Sequence, residues 1–228
     1  MPKAIVLLSG GLDSATTLAL AQADGFEIYA MTFSYGQRHF IEIASAKAIA
    51  EAANVVTHNL VEIDLRAFGN SSLTDEIAVP QNRTGLEMSS GIPSTYVPAR
   101  NTIFLSYALA WADTLGIFDI FIGVNSLDYA GYPDCRPEYI AAYSAMANLA
   151  IKSTVEPPTK MTFHTPIISM TKSDIIKTAV ELEVPLDKTF SCYSPDHIGH
   201  ACGKCDACIL RLDGFSQNNL TDPITYQS

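Results

Sequence analysis

The chain has 228 residues, 48% hydrophobic and 17% charged, which is enough for one substantial core and ordinary for a folded cytosolic protein. Its formal net charge of -10 opposes a protein that grips nucleic acid mainly through phosphates, because such affinity rests on Lys and Arg displacing counterions. Met1-Pro2-Lys3 leads into an apolar run too short for an export signal, and the apolar stretch 103–123 is broken by Asp113, Gly116 and Asp119. A cytoplasmic protein with no membrane span is expected.

In chain order, Ala4 to Leu8 reads as a buried strand, Ser9 to Asp13 as a loop, and Ser14 to Ala23 as a helix. Glu27 to Phe33 is a second strand, Ile41 to Ala53 an Ala-rich amphipathic helix and Val55 to Ile63 a third strand. From Asn70 to Pro98 the chain turns polar and rich in Gly, Pro, Ser and Thr, which is long for a connection and suggests a lid or a disordered loop. Helix resumes from Arg100 to Leu115, and Phe118 to Val124 is a central strand followed by a loop to Arg136. Pro137 opens a helix to Ile151, and Thr171 with Asp174 forms a capping-box pattern for a helix to Leu182. Alternating strands and helices of these lengths imply an α/β fold: a Rossmann-like parallel sheet with helices on both faces. Residues 1–185 are read as that domain and 186–228 as a small metal-binding element packed on it.

Ligands in open α/β sheets bind at the carboxyl ends of the strands. The loop from Asn125 to Arg136 leaves that edge. Ser9-Gly10-Gly11-Leu12-Asp13-Ser14 lies between strand and helix, where two glycines let backbone N–H groups turn toward one anion and the helix start adds partial positive charge. No Lys ends the loop, so it is not the loop that grips β- and γ-phosphates in kinases. The bland alternative is a tight βα turn with Ser14 as a cap.

Four of the five cysteines lie between Cys192 and Cys208. Cys202, Cys205 and Cys208 are spaced by two residues each, a pattern suited to a closed tetrahedral Zn²⁺ shell with Cys192 as fourth ligand, and therefore to a structural site. Iron-sulfur ligation is the competing reading of that spacing. Cys135 stands apart. A glutaminase would need a nucleophilic cysteine with its own domain, which this length does not accommodate, so free ammonia is the simpler donor for any amidation.

The loop resembles the PP-loop of the ATP pyrophosphatase superfamily, whose members cleave ATP between the α- and β-phosphates and adenylate a substrate oxygen. That resemblance implies that Leu8, Ser9, Gly10, Gly11, Leu12, Asp13 and Ser14 hold ATP, that adenine lies near Thr32 and Phe33, where backbone groups can read its amino edge, and that Asp13 positions Mg²⁺ or orients the loop. Lys172 and Arg100, each opening a helix, are further candidates for phosphate charge. Tyr35-Gly36-Gln37-Arg38-His39, Val97-Pro98-Ala99-Arg100-Asn101, Gly123-Val124-Asn125 and the run from Asp128 to Arg136, with the cysteine tail, narrow the resemblance to the family of 7-cyano-7-deazaguanine synthases. That family implies ATP, ammonia and 7-carboxy-7-deazaguanine as substrates, adenylated acid and amide intermediates, and a homodimer. A guanine-like edge pairs well with a carboxylate, so Asp128 and Asp134 are candidate readers of the base, Tyr129 or Tyr132 a cover for its ring, and Arg38 or Arg136 a holder of its carboxylate. The rival within the superfamily is sulfur transfer to tRNA or amidation of a nucleotide; the rival outside it is a zinc-knuckle interaction module that binds no ATP.

Overall fold

A computed structural model of the chain describes residues 1–127, 131–156 and 159–227. Five strands, β1 (Lys3–Leu7), β2 (Glu27–Ser34), β3 (Thr57–Glu62), β4 (Asp119–Ile122) and β5 (Thr162–His164), form one sheet in the order β3-β2-β1-β4-β5, with every pairing parallel. The helices are α1 (Leu12–Ala23), α2 (Ile41–Ala52), α3 (Gly85–Met88), α4 (Arg100–Leu115), α5 (Pro137–Ala150), α6 (Lys152–Val155), α7 (Lys172–Glu181) and α8 (Asp206–Gln217). Successive strand residues point to opposite faces. Ile5, Leu7, Met31, Ile120 and Ile122 therefore pack under α4 and α5, whereas Ala4, Val6, Leu8, Ile28 and Phe121 pack under α1, α2 and α7. Both faces are covered, as the sequence predicts. Among the described residues no helix is long and apolar enough to cross a membrane.

The strand order reverses at β1, so the crevice between the carboxyl ends of β1 and β4 is the topological switch point, where open sheets place their ligands. Four elements are not anticipated from sequence: the one-turn helices α3 and α6, β5 and α8. β5 is three residues long, too short for a period, and α8 lies within what reads as an irregular cysteine tail. The segment 70–98 is ordered across its length rather than loose: Ser71, Ser72 and Thr95 are buried, and Thr84 and Glu87 close a capping box on α3. It is stitched to the tail by a bridge between Gln81 and Cys205, by the Asn82 N–H donating to the Lys204 carbonyl at 2.8 Å, and by a two-pronged ion pair of Arg83 with Asp206.

The tail is joined to the main body by α8. Phe215 enters the same core as α7, and Gly214 lets the two helices meet: a Cβ there would lie 2.8 Å from Ile176 Cδ1 and 3.0 Å from Lys172 Cγ. Arg211 of α8 is 1% exposed, and its charge is matched by Asp222, with nitrogen-to-oxygen distances of 2.6 and 2.9 Å, and by donation to Thr189 Oγ1 at 2.8 Å. Removing one partner of a buried pair strands the other charge, at a cost of about 3–5 kcal/mol. Asp222→Ala is therefore expected to lower unfolding stability by about that amount in denaturant titration, and a change below about 1 kcal/mol would show that solvent reaches Arg211.

Candidate active site and metal centre

One large cleft opens at the switch point, enclosing about 1380 Å³ with its mouth included. Its floor is the loop between β1 and α1. Gly10 has φ 91°, and a Cβ there would lie 2.2 Å from the Glu42 carbonyl oxygen and 2.8 Å from the Ala46 nitrogen, so only glycine lets the first turn of α2 rest on the loop. At Gly11, the residue before α1, a Cβ would meet only ordinary contacts at 3.5 Å and beyond. Chain packing does not demand glycine there; its absent side chain leaves the start of α1 clear. No side chain caps α1, and the Leu12 N–H has only a long 3.5 Å contact to Ser191 Oγ. Such a helix start is a ready anion site.

The hydroxyls of the two loop serines are engaged with the loop itself. Ser14 Oγ donates to the Gly11 carbonyl at 3.0 Å and accepts from the Ser9 N–H at 3.1 Å, while the two hydroxyls lie 3.0 Å apart. They brace the loop. The tail braces it from outside, through the Phe190 N–H donating to the Gly10 carbonyl at 2.9 Å.

Positive charge is brought to the cleft from two helix starts. Lys172, 8% exposed at the first position of α7, donates to both oxygens of Asp13 at 2.6 and 2.9 Å, fixing the ammonium beside the first turn of α1. Arg100 opens α4 and lies 5.9 Å over the ring of Tyr35. Burial works against its charge, yet the Tyr35, Tyr132 and Tyr193 phenols and the Asp134 carboxylate outweigh burial and raise its pKa, so it stays cationic. Burial pushes the Tyr35 hydroxyl up to about 12. Phe33 lines the cleft and stacks on Phe104, with rings 4.0 Å apart, whereas Thr32 points away to donate to the Leu8 carbonyl at 2.6 Å, so of these two only Phe33 offers the cleft a side chain.

The residues expected to meet a base are dispersed. Arg38 lines the cleft, and its Nη1 donates to the Ile77 carbonyl at 3.2 Å, anchoring the 70–98 segment. Asp134 does not line the cleft: its Oδ2 accepts the Asn101 N–H at 3.0 Å and so caps α4. Arg136 is exposed before α5 and is likewise outside the cleft wall. Asp128 and Tyr129 lie outside the described residues. Cys135 does face the cleft, but burial pushes its thiol up to about 12, with the Asp134 charge adding to it, so at neutral pH it is no thiolate. Glu42, Asn101, Ser191 and Tyr193 also line the cleft. Asn101 belongs to the 97–101 run that helps carry the family resemblance but has no role of its own in sequence, and Ser191 and Tyr193 lie in irregular chain with no motif of their own; Glu42, an acid in a helix's first turn, carries a local signal that reads as a favourable dipole interaction.

The four tail cysteines are buried, and their sulfurs lie within 4.8 Å of one another, with Cys202 and Cys208 Sγ 4.0 Å apart. A tetrahedral Zn²⁺ thiolate shell has sulfur edges of about 3.8 Å, given metal–sulfur bonds near 2.3 Å. Backbone N–H groups aim at the sulfurs, Cys202 N–H to Cys192 Sγ at 3.1 Å and Cys205 N–H to Cys202 Sγ at 3.2 Å, which supports thiolate charge. The donor set fits a metal ion. His39 links this shell to the cleft by donating through Nε2 to the Cys192 carbonyl at 3.0 Å.

The family model described as queuosine biosynthesis protein QueC matches residues 3–219. The chain belongs to that family. It is 58% identical over 224 residues to a 7-cyano-7-deazaguanine synthase from Pelobacter propionicus, covering 98% of this chain and 97% of that one. It is 56% identical over 228 residues to the one from Paramagnetospirillum magneticum, covering 100% of both. Among solved structures, NMN synthetase from Francisella tularensis is similar at TM-score 0.51 with 16% identity, covering 96% of this chain and 78% of that one, which supports the fold. Within this family fold, Gly10→Ala is expected to abolish the rise in melting temperature that ATP gives the wild-type protein, while cooperative melting persists; an unchanged rise would remove the loop from nucleotide binding.

Proposed function

We propose that this protein converts 7-carboxy-7-deazaguanine and ammonia into 7-cyano-7-deazaguanine, activating first the acid and then the amide with ATP at one site. The observation that carries the reading is the uncapped start of α1 sharing a cleft with two cations, Lys172 and Arg100. The names of relatives at 56–58% identity supply the substrate. A carboxylate resists attack by ammonia because its charge is delocalised and its leaving group would be oxide. Transfer of its oxygen to the α-phosphate of ATP replaces that group with AMP. In this reading Leu8 to Ser14 cradle the departing pyrophosphate, and the ammonium of Lys172, held by Asp13, offsets the charge that develops there. Mg²⁺ accompanies the nucleotide. Arg100 and Arg38 are the cations available to the substrate carboxylate, with Asp128 assigned to the guanine-like edge and Tyr129 to the ring face.

The nitrogen donor in this reading is free ammonia, since the buried Cys135 thiol is unsuited to glutamine hydrolysis. Zn²⁺ held by Cys192, Cys202, Cys205 and Cys208 supplies no chemistry to the reaction and holds the tail in place. A colourless protein with one zinc per chain is expected; stoichiometric iron with visible absorbance would replace zinc by a cluster. Thiolate ligation and ATP use are both consistent with the cytosol. Met146 and the 83%-exposed Leu149 on α5 offer an apolar contact face for a homodimer.

The reading is tested by incubating the protein with ATP, Mg²⁺, ammonium and 7-carboxy-7-deazaguanine. Mass spectrometry is expected to show the amide, then the nitrile, with two AMP released per nitrile. Folded, metal-loaded protein that forms neither product would defeat it. Lys172→Met is expected to slow both activations by about 100-fold or more, the scale of losing one preorganised charge at a reacting phosphate.

A further inference from the structure

Each activation must be followed by proton removal from nitrogen. Ammonia adds to the acyl adenylate as a C–N bond, and the resulting –NH₃⁺ gives up one proton as the C–O bond to AMP breaks, leaving the amide. In the second round the amide oxygen attacks the α-phosphate and pyrophosphate leaves, giving a C(OAMP)=NH₂⁺ group. That nitrogen loses both its protons as the C–O bond breaks again, releasing AMP and the nitrile. No oxidant or reductant is needed, but a group able to accept protons beside the reacting carbon is.

We propose that Glu42 is the general base of this nitrogen chemistry, accepting protons from the attacking nitrogen in amide formation and from the activated amide in nitrile formation. The assignment rests on the two-activation reading above. Glu42 stands in the first turn of α2 and lines the cleft, its own backbone pressed on Gly10 of the loop between β1 and α1. Among the described residues lining the cleft the carboxylates are Asp13 and Glu42, and Asp13 is already committed to Lys172. The Glu42 carboxylate makes no hydrogen bond or ion pair with a described residue, and the charge that acts on it is that of Arg100.

The other ionisable groups of the cleft are poorly suited. Tyr35 and Cys135 are pushed up to about 12 by burial, and burial also raises Tyr132. His39 donates through Nε2 to Cys192 and its Nδ1 is buried away from solvent. Arg38, Arg100, Lys172 and Arg211 enter as cations, and Tyr193 adds a further phenol. For Glu42 itself, burial raises the carboxyl to about 7 against the opposing pull of Arg100, which makes it a stronger proton acceptor than an ordinary carboxylate and still largely ionised above neutrality.

The test separates activation from nitrogen chemistry. Exchange of labelled pyrophosphate into ATP, dependent on the acid or on the amide, reads activation alone; amide and nitrile formation read the rest. Glu42→Gln is expected to keep both exchange reactions within about 3-fold while amide and nitrile formation fall by 100-fold or more, and Glu42→Asp to recover part of that loss. In the wild-type enzyme the single-turnover rate of amide formation, at constant free ammonia, is expected to fall tenfold per pH unit below about pH 7, because the base is then protonated. Nitrile formation by Glu42→Gln at the wild-type rate would overturn the assignment, as would equal loss of exchange, which would move Glu42 to the ATP–Mg²⁺ complex. If the Gln variant does not fold, a flat wild-type profile from pH 6 to 8 overturns it and a sloping one supports it. Wild-type protein without acid-dependent exchange would defeat the functional reading, and the assignment with it.

Discussion

The close approach of α2 to Gly10 is the contact on which the carboxyl edge of the sheet depends. A single methyl group at that position would sit 2.2 Å from a backbone oxygen, which cannot move as a side chain can. Because the space is empty, α2 packs tightly enough to bring Glu42 to the rim of the anion loop. The loop in turn is braced by Ser9 and Ser14 from within and by Phe190 from the tail. A flexible Gly-rich turn would lose backbone entropy again at every binding event. Here the braces hold the turn in the folded chain, so less of that entropy is left to lose.

The cleft gathers charge that a purely structural interior would avoid. A largely buried Lys172–Asp13 pair and the half-buried Arg100 are expensive to desolvate, and apolar side chains of similar volume would often stabilise a fold better. Each cation sits at a helix start, where the dipole opposes it rather than helps. Both facts make sense for groups whose partner is an incoming polyanion. Arg100 lies over the Tyr35 ring and within the field of Asp134, and as a guanidinium it stays cationic in the cleft.

Much of this arrangement is legible in sequence because it is local. The strand–loop–helix at residues 3–23, the capping box of Thr171 and Asp174 and the cysteine spacing each declare themselves within a dozen residues. What is not legible is set by contacts across the chain. Asp134 looks free to read a base, yet it caps α4 from 33 residues away. Thr32 belongs to the right strand, but the pleat turns it away from the cleft where Phe33 turns in. Glu42 is an unremarked helix residue until the fold sets it over residue 10. The 70–98 segment reads as loose because it has neither period, and it is ordered by a partner that begins more than a hundred residues later.

That partner gives the cysteine tail a meaning beyond its own stability. The bridge from Gln81 to Cys205, the Arg83–Asp206 pair, the His39–Cys192 hydrogen bond and the Phe190–Gly10 hydrogen bond tie three separate walls of the cleft to the thiolate cluster. An ion held by the four cysteines would brace those walls together. Titrating metal into stripped chains should accordingly change the number of competent molecules and leave the properties of each competent molecule constant. In a cell, scarcity of the ion would be felt as a census of working enzymes rather than as a uniformly slower one.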